Sequence, residues 1–97
     1  MERERLPNRR DAEVVAFMHG GRPWTAIFGR FPDGRLAEIF IDAPKASAIA
    51  DAARESALLA SLGLQYGAPI DTIRHAFDGR DAGPLAVALG LASEMRP

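Results

Sequence analysis

The stretch Glu13-Val14-Val15-Ala16-Phe17-Met18-His19-Gly20-Gly21-Arg22-Pro23-Trp24 decides the fold. Its first seven residues are rich in β-branched and aromatic side chains. Gly20-Gly21 then supplies positive φ at both centres of a two-residue turn, which makes the segment the first arm of a β-hairpin. Trp24 to Phe31 is the returning strand. It is closed by Pro32-Asp33-Gly34, where Pro presets φ for a type I turn and Gly takes the left-handed position. A third strand runs from Arg35 to about Asp42, giving a three-stranded antiparallel meander that precedes every helix.

N-terminal to the hairpin, residues 1–11 alternate in charge around Pro7-Asn8 and predict an arm, leaving 12–97 as a single domain. On the other side, Ala43-Pro44 separates sheet from helix. Pro44 to Tyr66 is Ala-rich and predicts a long helix, with Gly67 as its C-terminal cap. Pro69 opens a short helix whose Ile70, Ile73 and Phe77 share a side, Asp78 to Gly83 is a polar loop, and Pro84 to about Glu94 is a third helix presenting Leu85, Ala88, Leu89 and Ala92. The predicted class is α+β, a three-stranded meander followed by one long and two shorter helices packed on one face.

At 97 residues the chain is one small domain, for which oligomerisation would add welcome stability. Twelve basic and thirteen acidic residues leave a net charge of -1, which argues against nucleic acid or a polybasic membrane surface as a partner. The absence of cysteine excludes disulfides, thiolate nucleophiles, thiyl radicals, iron-sulfur clusters and Cys-ligated zinc. The start is charged and no apolar run reaches the roughly 18 residues of a membrane span, so the expected location is the cytoplasm.

If Phe31 pairs with Arg35, strict alternation places Ile27, Phe31, Ile39 and Ile41 on one face, joined by Val14 and Ala16. This is the expected core side, beneath a helix stripe of Ile49, Ala53, Ser56, Ala60 and Gly63. The opposite face then carries Val15, Phe17, Trp24, Phe28 and Phe40 among Glu13, Arg30, Glu38 and Asp42. Each large aromatic brings roughly 150 to 250 Å² of buriable surface, and an open apolar patch of a few hundred Å² marks a binding site. Phe17, Trp24, Phe28 and Phe40 are therefore the expected interface for a homodimer or a protein partner.

Catalytic candidates are sparse. His19 and His75 have no partner at metal-ligand spacing, so no metal site is expected. Glu38 and Asp42 lie on one strand face about 13 Å apart, farther than paired glycosidase carboxylates. No serine sits in a nucleophile elbow. The expectation is a chain without catalytic residues of its own. The alternative ligand is a nucleotide or other phosphate held by Arg9 and Arg10 with Arg22, Arg30 or Arg35, because guanidinium forks pair with phosphates bidentately.

Leu6-Pro7-Asn8-Arg9-Arg10, His19-Gly20-Gly21, Phe31-Pro32-Asp33-Gly34-Arg35, Glu38-Ile39-Phe40-Ile41-Asp42 and Ser61-Leu62-Gly63-Leu64-Gln65-Tyr66-Gly67-Ala68-Pro69 occur in that order. Together, across about residues 6 to 92, they resemble the TSCPD domain, found near the C-terminus of adenosylcobalamin-dependent (class II) ribonucleotide reductases and in small standalone proteins. The resemblance implies an accessory, binding or assembly role connected with deoxynucleotide synthesis. It also implies a reductase subunit as a partner, with adenosylcobalamin as the family's cofactor though not one held by this chain. A reductase component acting in trans is a further possibility it raises. In the peptide that gives the family its name, the equivalent Asp81-Ala82-Gly83-Pro84-Leu85 has Gly83 where cysteine would stand. Ribonucleotide reduction needs a thiyl radical and a reducing Cys pair, so this chain alone cannot perform it.

Overall fold

The structure, a computed structural model, describes residues 2–8, 11–77 and 82–95. Strands β1 (Ala12–His19), β2 (Arg22–Arg30) and β3 (Leu36–Asp42) form an antiparallel sheet in the order β1-β2-β3. Helices α1 (Ala48–Gln65), α2 (Ile70–Ala76) and α3 (Pro84–Met95) follow. This is the expected α+β meander with one long and two shorter helices. Most of the predicted polar loop, residues 78–81, lies outside the described residues.

Gly20 and Gly21 sit at φ 60° and 72°, as a two-residue hairpin turn requires. Helix α1 begins at Ala48, four residues later than expected from Pro44, because Ser47 is its N-cap: the Ser47 hydroxyl accepts the Ala50 N–H at 3.0 Å. It ends as expected at Gly67, φ 106°, where the Ala68 N–H reaches Gly63 O and the Gly67 N–H reaches Leu64 O. These two bonds form a Schellman motif.

The loop between β2 and β3 closes as expected, with Phe31 N–H donating to Arg35 O at 2.9 Å, but strict alternation fails one step further on. Arg30 pairs with Leu36, whereas Gly29 pairs with Glu38, so Ala37 is an extra residue, a β-bulge in β3. A one-residue slip moves every side chain of the partner strand to the other face. The expected faces of β1 and β2 are therefore exchanged. Trp24, Ala26 and Phe28 join Leu36, Ile39 and Ile41 in the core, and Val14, Ala16 and Ile27 point outward.

Helix α1 runs along the outer edge of β3. Ser61 Oγ accepts the Ile39 N–H at 2.9 Å and lies 2.9 Å from both Ile39 O and Ala57 O, between which it can share its one proton. Gln65 Nε2 donates to the carbonyl of the bulge residue Ala37 at 3.1 Å. Two polar side chains thus satisfy backbone groups that a strand edge and a bulge would otherwise leave unpaired in the interior. The inward stripe of α1 is Ala50, Ala53, Ala57, Ala60 and Leu64, turned from the expected one, so that Ile49 and Ser56 are exposed. Ala88, Leu89 and Ala92 of α3 complete the core as expected.

Candidate interaction surface

Among the described residues nothing covers the row of apolar side chains on the outer sheet face. Val14, Ile27 and Phe40 stand in register across the three strands, with Met18 farther along β1. Their exposures of 65%, 36%, 44% and 65% make an apolar row open to solvent. Neighbouring strands are roughly 4.8 Å apart, so the three side chains form one contiguous band. Beside them Glu38, only 7% exposed, folds across the bare backbone of Gly29.

Of the four residues expected to form an interface, only Phe40 lies on this face. Trp24 and Phe28 are enclosed in the core, at 2% and 0% exposure, and the Trp24 indole N–H is spent on His19 O at 3.2 Å. Phe17 is half-buried against the same core. The bulge accounts for this: it sends the aromatics of β1 and β2 inward and the aliphatic residues outward. Val14, Met18 and Ile27 were missed as surface residues, and the only signal for them was Gly29, since a glycine within a strand marks a bulge or a close approach.

The arginines do not gather into an anion site among the described residues. Arg30 is pinned by the fold, with Nε to Glu13 Oε1 at 2.5 Å, Nη1 to Gly34 O at 3.3 Å and Nη2 to Ala92 O at 2.9 Å. Arg35 binds Asp33 at 2.7 Å and Glu4 at 3.1 Å, and stacks 4.6 Å over Phe31. Arg22 begins β2 at the end remote from Arg30, about 26 Å away at strand rise. Arg9 and Arg10 lie outside the described residues. A groove of about 490 Å³ between the β2–β3 loop and the ends of α1 and α3 includes Arg30 and Arg35 in its wall, but those side chains are committed to the partners above.

Two exposed carboxylates are held below the ordinary range. Asp33 is lowered first by the backbone N–H of Arg35 and then by its guanidinium, and Asp42 first by the Arg54 side chain and then by the Ala43 N–H. The guanidiniums of Arg35 and Arg54 are correspondingly raised, chiefly by Asp33 and Asp42. Both pairs tie loops and helix to the sheet and have no reactive geometry around them. Among the described residues no group of His, Asp and Glu is placed to hold a metal ion, and no helix is long and apolar enough to cross a membrane.

Fold and surface together define a small α+β domain that presents an apolar sheet face. Over 77 residues, 78% of its length, the chain is 44% identical to a vitamin B12-dependent ribonucleotide reductase of Agrobacterium fabrum and 42% identical to one of Bradyrhizobium diazoefficiens. A reductase of the same description from Rhodopirellula baltica is 34% identical over 76 residues. The chain spans only 6% of the length of the first two relatives and 7% of the third, so the similarity is to one short segment of a much larger protein. No family model and no solved structure matches.

Proposed function

We propose that the chain is a noncatalytic docking or regulatory module for a vitamin B12-dependent ribonucleotide reductase, of the TSCPD type that its motifs resemble, acting in the cytoplasm in deoxynucleotide synthesis. The observation that carries this is the 44% identity to a segment making up 6% of such a reductase. A unit of that size, without a cysteine, has no means of its own to form or re-reduce a thiyl radical. The apolar row of Val14, Ile27 and Phe40 supplies the surface that would face the reductase, since a band of this kind is what a protein partner covers.

Sedimentation of the purified chain with the purified reductase of the same organism tests this. A complex is expected, and Phe40→Asp, which places a charge on the open face without entering the core, weakens it by about tenfold or more. Absence of a complex, or a complex indifferent to Phe40→Asp, overturns the proposal. Calorimetry with nucleoside phosphates addresses the arginine alternative; Arg30 and Arg35 are already paired, so any heat of binding is expected to survive their replacement by alanine.

A further inference from the structure

The two edges of the sheet are treated differently. The edge of β3 is sealed by Ser61 and Gln65 of α1. Strand β1, the other edge, pairs with β2 alone among the described residues. Soluble proteins usually guard such an edge with lysine, proline, a bulge or a very short strand. Ala-Glu-Val-Val-Ala-Phe-Met-His, eight residues long, has none of these, and its one charged side chain apart from the terminal imidazole, Glu13, is turned to Arg30 of β2.

The hydrogen-bonding direction of this edge follows from the ladder. The Ile39 N–H faces Ser61 and so points away from β2, which makes Phe28↔Ile39 a non-bonded pair. In an antiparallel sheet bonded and non-bonded pairs alternate. Phe28, Ala26 and Trp24 therefore bond to Glu13, Val15 and Phe17, and the amides and carbonyls of Val14, Ala16 and Met18 point to the free edge. Pro23 agrees with this: it stands opposite Met18, where the ladder to β1 asks for no N–H.

We infer that β1 pairs antiparallel with β1 of a second copy, with Ala16 on the two-fold axis, joining two sheets into one of six strands. In that register Val14 faces Met18 of the second copy, Val15 faces Phe17, and Glu13 faces His19. No like charges meet: Glu13, already bound to Arg30 of its own protomer, falls opposite His19 at the ends of the paired segment. The apolar pairs also fall where the protomer leaves its core incomplete. Val15 and Phe17 point to the core side yet stay half-buried, because the helices pack over β3 and β2. A two-fold axis makes the contact self-complementary and closed, with no open edge left for a third copy at β1. This interface is the strand edge and does not depend on the outer-face docking proposed above.

Sedimentation equilibrium of the full chain, combined with amide hydrogen exchange, tests the pairing. The wild type is expected at twice the 10.5 kDa chain mass, with the Val14, Ala16 and Met18 amides protected in the dimer and exchanging rapidly on dilution to monomer. Ala16→Pro removes an N–H that the protomer does not use, and Val14→Lys adds the missing edge guard at an exposed position. Each should halve the mass while the far-ultraviolet circular dichroism is retained. A monomeric wild type overturns the inference. So does a dimer in which those three amides exchange freely, or one that persists in Val14→Lys.

Discussion

At Gly29 a Cβ atom would fall 2.5 Å from Glu38 Oε1 and 2.6 Å from its Cγ. The glycine is the space into which a nearly buried acidic side chain folds. Gly29→Ala should force Glu38 off its path and cost about 1 to 3 kcal/mol, the usual range for overpacking, read as a lower urea midpoint with an unchanged slope. This residue also shows why the faces of the sheet were not legible. In β2 the odd position Ile27 and the even positions Trp24, Ala26 and Phe28 are all apolar, so alternation could not choose between them. The glycine could announce an irregularity without saying that Ala37, across the ladder, is the extra residue. The pairing of Arg30 and Arg35 was not legible for a different reason: their acidic partners are Glu4, Glu13 and Asp33, and two of these pairings join residues 17 and 31 positions apart, beyond any local pattern.

Among the elements, the pairing of α1 with the edge of β3 depends on Ser61. Ser61→Ala leaves the Ile39 N–H facing an interior with no acceptor, a loss of about 1 to 3 kcal/mol, measurable by denaturant unfolding and by faster exchange of the Ile39 amide. The element order was legible because its determinants are local: Gly20-Gly21, Pro32-Asp33-Gly34, Gly67 and the Ala-rich run each act over a few residues. The rotation of α1 was not legible, because its inward stripe is mostly alanine while the larger apolar residues Ile49, Leu58 and Leu59 stand on its exposed face. Exposed Ile49 and Leu59, at 51% and 69%, look in the sequence like core positions and are not.

For the molecule as a whole, acid is the informative perturbation. Asp33 and Asp42 have lowered pKa values in the folded chain, so each contributes stability that is present above the unfolded value of about 3.9 and lost as pH falls through the lower folded value. Both pairs are exposed and therefore weak and screened. Thermal unfolding should be nearly level from about pH 7 to pH 5 and decline modestly below about pH 4, with part of the decline removed in Asp42→Asn. A midpoint that rises on acidification would contradict the assigned pairs.

Each strand pairs with its immediate neighbour in the chain, so the meander can assemble during synthesis as soon as Asp42 has emerged. At that moment Phe28, Ile39 and Ile41 have nothing over them, because every covering helix is encoded later. The ribosome must add some fifty further residues before α3 closes the core, which at about 5 to 20 residues per second is an interval of several seconds. The face of the sheet that becomes the core can therefore be sealed only late in synthesis, when its last helix emerges.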